Sequence, residues 1–484
     1  MKKDNTKARR HEEKSLLGTL RRILLLALCL SGFVFSSSCS TEEPGSPSLR
    51  AGASKVKITP EKAGWMTGYG NRNHVADGVK TDLWVRALAL EDAAGKRLVL
   101  VTADILGFPP DLSRAIRKEA VARFGIEPAD LMLVASHTHG GPAIPQRPSM
   151  EIFHGLDEKT GKDVYAYADW LEERVLESIS KAIVARKAAT ATLAHAQAHF
   201  GINRRFKNPN GSYSIKDNPE GLVDPDVTIV RVESDGKALA TVYTYACHGT
   251  TLGGDVYHYH GDWIGYASDE IEKATGGAPA LYATGCGADL NPSPRGKFEM
   301  AEAHGHAMAV AVAGAPAGAS LSGPFRSVLN TIDLPLAPSP KRELLEKVAA
   351  DKADKNAYRQ RHVREMLKLM DAGKLPTAVP LPIQVWRLGD QKVVAFGGET
   401  CVEYALRTRK EIGAGTWTIG YANEVPCYIP SEKVLSESGY EPGWEPATKD
   451  TIATGSMMFY GWPVPFAPGI EERIMAEVRR LAKD

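Results

Sequence analysis

The 484-residue chain has little cysteine, almost no net charge and no apolar run long enough to span a bilayer. Its 59 Lys and Arg residues oppose 58 Asp and Glu, for a formal charge of +1. No basic excess stands ready to displace counterions from phosphates, so nothing in the composition supports a nucleic-acid partner. Six cysteines are too few for a stapling framework in a chain of this size. No internal repeat and no low-complexity linker follows residue 53, which argues for one large unit. With 43% hydrophobic and 24% charged residues, disorder is excluded and a large core is affordable.

What is present begins with an asymmetry. The first 22 residues carry eight basic groups against three acidic ones, Asp4, Glu12 and Glu13. An uncharged apolar run over residues 23–35 follows, then Ser36, Ser37, Ser38 and Cys39. A positive start, a short apolar stretch and small residues at its end form an export signal, too short to be a comfortable spanning helix. Cys39 resembles a bacterial lipoprotein site, so residues 1–38 read as a signal and Cys39 as a lipidated membrane tether. Ordinary cleavage is the other outcome. The expected location is periplasm, outer membrane or cell surface, or otherwise the medium. Without the leader, 51 basic residues face 55 acidic ones, a net of −4. Residues 39–53, rich in Ser, Pro, Glu and Gly, read as a tether.

Beyond the tether, strand-like and helix-like segments alternate, which predicts an α/β fold: one large catalytic domain over residues 54–484, with mixed β-sheets flanked by helices. Strands are expected at 82–90, 97–103, 131–136, 227–232, 239–246, 279–283 and 393–396. Several are continuously apolar, as strands covered on both faces should be. Helices are expected at 110–124, 165–186, 301–314, 341–370 and 402–412. The segment 341–374 is highly charged and has no Pro or Gly before Gly373, so it reads as one long exposed helix.

Four stretches place metal-competent side chains beside turns that follow predicted strands. In SHTHGGP, His137 and His139 are two apart at a strand end, where side chains at i and i+2 share a face. That is a start for a zinc site, or else a pair of ordinary loop histidines. His248 ends an apolar strand in YACHGTTLGGD. Glu399 follows a Gly-Gly turn and precedes a helix, where a carboxylate would also suit the helix dipole. Tyr428 lies in a Pro-flanked loop and would otherwise be packing.

Together these stretches resemble the neutral/alkaline ceramidase family, exported zinc amidases that cleave the N-acyl bond of ceramide. The resemblance begins at KVKITPEKAGWMTGYG (55–70) and TDLWVRALALED (81–92). It runs through VTADILG, SHTHGGP, GINRRF, YACHGTTLGGD and GDWIGYA to GGET and GYANEVPCYIP (419–430). It implies one zinc ion per chain, held by His137, His248, Glu399 and Tyr428. It makes His139 the first candidate to pass a proton to the leaving amine, with Asp104 a weaker candidate for orienting it. Two departures stand out. The family's loop carries a serine where the closest alignment of TGCGADLNPSP (284–294) sets Asn291, which can donate a hydrogen bond to an oxyanion but cannot form an acyl intermediate. The family's NRS reads Asn203, Arg204, Arg205. Well-known members also continue into a C-terminal β-sandwich, which is not expected in this chain.

Other groups carry weaker signals. Asp262 in HYHGD (258–262) reads as a helix N-cap rather than a partner of His258 and His260 on a second metal. His304 and His306 lie two apart on a helix and diverge. Of Cys247, Cys286, Cys401 and Cys427, two read as small buried hydrophobes, with one disulfide at most. The expected function is an exported zinc amidohydrolase acting on the N-acyl amide of a ceramide-like lipid or glycoconjugate. The alternatives are a zinc esterase or glycan de-N-acetylase on the same fold, and a non-catalytic binding lipoprotein.

Overall fold

The computed structural model describes residues 49–145, 155–156, 161–351, 356–446 and 450–483. The leader and Cys39 lie outside them. None of the helices among the described residues is long and apolar enough to cross a membrane.

Strands with apolar residues at every position must be covered on both sides, and here they are. Leu98 and Leu100 of the Arg97–Ala103 strand meet Val230 and Val232 of Asp226–Ser234 and Val393 and Ala395 of Gln391–Phe396 in a shared inner cluster. The alternating residues face outward, as the two-residue period demands. Val99 and Val101 pack under the Pro110–Phe124 and Lys162–Val184 helices. Val227 and Ile229 pack under Asp262–Ala274 and Phe298–Gly314, and Val394 and Phe396 under Val402–Ile412 and Ile470–Leu481. Burying each such Val, Leu or Phe contributes about 1.5–3 kcal/mol, so both faces of every sheet hold the architecture together. The result is an α/β fold in which three sheets share an inner core and each carries helices outside.

Each of the three sheets contains one parallel pair. Arg97–Ala103 runs beside Leu131–Ala135, Lys237–Thr244 beside Ala280–Tyr282, and Gln391–Phe396 beside Trp417–Ile419. Their C-terminal ends converge and are stitched across sheets. Thr284 Oγ1 donates to Ala135 O at 2.7 Å, Gly420 N to Thr284 O at 2.8 Å and Asn423 N to Leu133 O at 2.6 Å. Carboxyl ends of parallel strands are where α/β sheets place their sites.

Two expectations need correction. Residues 49–53 are not tether: the Leu49–Lys57 strand pairs in full register with Trp84–Asp92, because Ala51 and Val56 are buried there. The single long helix is two, Arg342–Ala350 and Ala357–Asp371. They are not simply laid over the surface, since Leu345, Val363 and Met366 close a small core with Ile452. The four cysteines among the described residues are free and buried, within the expectation of one disulfide at most.

Candidate metal centre and active site

The site gathers at those six strand ends. His137 follows the Leu131–Ala135 strand with φ +57, an uncommon conformation for a residue with a side chain. Its Nδ1 lies 2.7 Å from Leu106 O. A carbonyl only accepts, so Nδ1 carries the proton and Nε2 presents a lone pair. His248 follows Lys237–Thr244, and its Nδ1 faces Gly287 O at 2.8 Å and Leu290 O at 3.1 Å, which again leaves Nε2 as a lone pair. Glu399 lies opposite Tyr428 in a short parallel pairing of Glu399–Thr400 with Tyr428–Ile429. Gly398 permits that pairing: at φ +74 a Cβ would lie 2.6 Å from Ile429. His139 is accommodated by Gly68, where a Cβ would meet the imidazole at 2.6 Å.

These groups converge. Glu399 Oε2 is 3.1 Å from His137 Nε2 and 3.4 Å from His248 Nε2. Tyr428 Oη is 3.2 Å from His248 Nε2, and His139 Nε2 is 3.1 Å from His137 Nε2. The three imidazoles offer ligand atoms within 4.8 Å of one another. Lone pairs facing lone pairs repel, and one proton can bridge only one of these contacts. Burial and the neighbouring Arg204 hold His248 down at about 4. Burial, with His137 and His248 adding to it, keeps His139 well below its ordinary value. Both are therefore neutral at pH 7. Burial pushes the Glu399 carboxyl up, while positive charge at the His137 and His248 positions facing it would hold it well below the usual range; with both Nε2 atoms as lone pairs, that charge must come from a cation between them. Glu399 Oε1 accepts from Tyr460 Oη at 2.6 Å, whereas Oε2 is buried without a hydrogen-bond donor.

The donor set fits a metal ion. A tetrahedral ion with bonds of about 2.0–2.1 Å sets its ligands about 3.3 Å apart, matching the 3.1–3.4 Å separations seen here. Imidazole nitrogens with a carboxylate and a phenol oxygen suit a first-row transition metal, zinc among them.

Around this cluster lies a network the sequence did not reveal. Arg204, in the Gly201–Lys207 strand, donates from Nε to Glu441 at 2.9 Å and from Nη2 to Tyr428 Oη at 3.0 Å. Its Nη1 reaches Asn291 Oδ1 at 3.2 Å and His248 Nε2 at 3.3 Å. Burial alone would lower its pKa, but Tyr428 and Glu441 push it well above the ordinary value. Arg205 grips the other oxygen of Glu441. Consecutive strand residues normally point apart, and the irregular register between Asn203 and Arg205 lets both guanidinium groups reach one carboxylate. Arg72 supports His139 from behind, donating to its carbonyl at 2.8 Å.

Asn291 is brought into the site, and Asp104 is not placed against His139. The Asp104 carboxylate accepts from Trp84 N at 2.9 Å and Arg86 at 3.2 Å, while His139 Nδ1 has no hydrogen-bond partner. The buried Arg86 guanidinium claims the carboxylate, which leaves no oriented pair. Asp262 is not an N-cap either. Gly261 caps that helix, and the Asp262 carboxylate accepts the amides of Thr251 and Leu252 at 3.0 and 3.1 Å. His304 and His306 diverge, to Pro294 O and Glu270. Ser293 bonds Asp217 at the surface.

The family model for neutral/alkaline non-lysosomal ceramidase, N-terminal, matches residues 49–288. The chain belongs to that family. The neutral ceramidase of Pseudomonas aeruginosa is 24% identical over an alignment covering 96% of this chain and 78% of that protein. The neutral ceramidase of Mycobacterium tuberculosis is 24% identical over 48% of this chain and 37% of its own length. The crystal structure of the Pseudomonas aeruginosa enzyme superposes with a TM-score of 0.65 at 20% identity, covering 86% of this chain and 72% of that one. A ceramidase complexed with C2 gives the same TM-score at 19% identity. These likenesses carry the fold class expected from the alternating strands and helices.

Proposed function

We propose that this chain is an exported, zinc-dependent amidohydrolase that cleaves the N-acyl amide of a ceramide-like lipid, with His137, His248, Glu399 and Tyr428 as ligands. The observation that carries the reading is Glu399 Oε2, buried without a hydrogen-bond donor and facing imidazole lone pairs at 3.1 and 3.4 Å, an arrangement that a cation completes. When bound, zinc supplies Lewis acidity, polarising a carbonyl and lowering the pKa of water to near neutrality. The chain's own residues do the rest. Arg204 fixes the Tyr428 oxygen and Tyr460 fixes Glu399, so the ligands are held in place before any substrate arrives. His139, neutral and with Nδ1 unengaged, is suited to take a proton from the attacking water and return it to the leaving nitrogen. Membership in the family and the Pseudomonas aeruginosa relative's name support an N-acyl amide as substrate. Cys39 as a lipidated anchor places the enzyme at a membrane, where such lipids reside.

The test is a hydrolysis screen of zinc-loaded protein against long- and short-chain N-acyl sphingoids, N-acetyl sugars and aryl esters. Cleavage of the N-acyl sphingoids, lost in His137→Ala together with the zinc, is the expected result. Preference for sugars or esters redirects the assignment to a de-N-acetylase or esterase. Zinc binding without any hydrolysis would leave a binding lipoprotein.

A further inference from the structure

The loop after the Ala280–Tyr282 strand carries Asn291 where the family places a serine. It folds into a short strand, Leu290–Pro292, paired with Gly201–Lys207, and Asn291 is 3% exposed. Its amide orientation is fixed by chemistry. Arg204 Nη1 at 3.2 Å can only donate, so the atom facing it must be Oδ1. Thr250 Oγ1 donates to the same oxygen at 3.2 Å. Two donors on Oδ1 turn Nδ2 away from them, and no protein acceptor meets it. Nor is it sealed in the core, since it is not among the fully buried side-chain atoms without partners. A nearly buried residue thus presents a locked, unsatisfied N–H donor within the site, one guanidinium away from His248 Nε2.

We infer that Asn291 is a catalytic oxyanion donor in the direct addition of water proposed above, so that no acyl-enzyme forms at position 291. The inference rests on the hydrolase reading above and specifies its chemistry. Water oxygen forms a bond to the amide carbon, and the carbonyl π pair moves onto oxygen, where Nδ2 holds it. The proton from water passes by way of His139 to the leaving nitrogen. Collapse of the oxyanion breaks the C–N bond and releases a carboxylic acid and an amine. Oδ1 cannot be acylated usefully and Nδ2 is not a nucleophile, so residue 291 stabilises charge rather than sharing it covalently. A donor locked before the reaction is worth most where charge develops. Thr250 and Arg204 serve here as positioning residues, because they set the amide's direction without reaching the reacting atoms themselves.

The test compares wild type with Asn291→Ala and Asn291→Asp, each checked for zinc content and melting temperature. Asn291→Asp keeps the shape and the Arg204 contact but removes the donor. Both variants are expected to lose about 10²- to 10³-fold in kcat, with KM changing by less than about threefold and zinc retained. A tetrahedral phosphonate analogue of the substrate should lose affinity by a similar factor, while a non-hydrolysable ground-state amine should not. Acid-quenched wild type should show no acyl adduct by intact mass. An active wild type whose variants keep kcat and phosphonate affinity overturns the assignment and leaves the hydrolase reading standing. An acyl adduct on any residue overturns the direct-water route. A wild type that cleaves no N-acyl amide overturns both readings.

Discussion

Two buried glutamates, Glu441 against Arg204 and Glu399 against His137 and His248, differ in how they are satisfied. Glu441 and Glu399 are each 2% exposed. Glu441 has a guanidinium on each oxygen. Burial pushes its carboxyl up, but Arg204 and Arg205 outweigh that and hold it low. Glu399 has the Tyr460 hydroxyl on one oxygen and two imidazole lone pairs before the other. The first is a closed ion network, in which removal of one partner strands the others. The second is charge held in place for a cation that the protein itself does not contain. Equal burial therefore conceals opposite roles, and the difference can be tested by substitution.

The largest effect is expected at Glu399. Glu399→Gln should lower zinc affinity by more than the factor of about 100 at the upper end for losing an outer partner, read by calorimetric titration. In metal-stripped protein the same change should cost nothing in stability or raise it, because it removes an uncompensated buried charge. Glu441→Gln should behave in the opposite way. It leaves Arg204 and Arg205 buried without their counter-charge, and denaturant unfolding should show a loss of about 3–5 kcal/mol with or without zinc. If both variants respond alike, the contrast collapses.

Tyr460→Phe sharpens the comparison at smaller cost. It deletes only the 2.6 Å bond to Glu399 Oε1, so zinc affinity should fall about 10- to 100-fold with little change in unfolding free energy. The smallest effect is expected at the surface, where His195 and Asp226 pair at 2.9 Å with His195 42% exposed. The Asp226 hydrogen bond raises the His195 pKa above its ordinary value. Folding thus favours the protonated form, and that stabilisation is complete below about pH 6.5 and lost as pH rises through the folded-state value. Exposed pairs are worth about 0.2–1 kcal/mol. The urea midpoint should accordingly fall slightly more at pH 5.5 than at pH 8.5 in His195→Ala.

The contrast also explains what the sequence could reveal. Each donor sits where an apolar run meets a loop of small residues: His137 after LMLVA, His248 after an apolar strand, and Glu399 after Gly-Gly. The buried strands were legible for the same reason, since apolar runs of that length must be covered on both faces. The groups that hold the donors leave no local pattern. Arg204 and Glu441 are 237 residues apart and Tyr460 and Glu399 are 61 apart, so only tertiary structure pairs them. Arg205 appeared in the sequence as a bulky departure from the family's small hydroxyl, and the structure shows it gripping Glu441 beside Arg204, the cation linking Tyr428, Asn291 and Glu441. Asp104 misled in the converse way. A carboxylate at a strand end suggested a partner for His139, but Arg86 on the adjacent strand was the nearer cation. The 341–370 segment misled through its charge, which masked the apolar positions at Leu345, Val363 and Met366 that fold it back onto Ile452.

The measurement that bears most directly on the account is the zinc content of folded protein after loading and exhaustive dialysis, compared between wild type, Glu399→Gln and Glu441→Gln with circular dichroism confirming the fold. About one zinc per wild-type chain is expected, lost in Glu399→Gln and retained in whatever fraction of Glu441→Gln remains folded. Folded wild type that holds no zinc, or Glu399→Gln that holds as much as wild type, would contradict it.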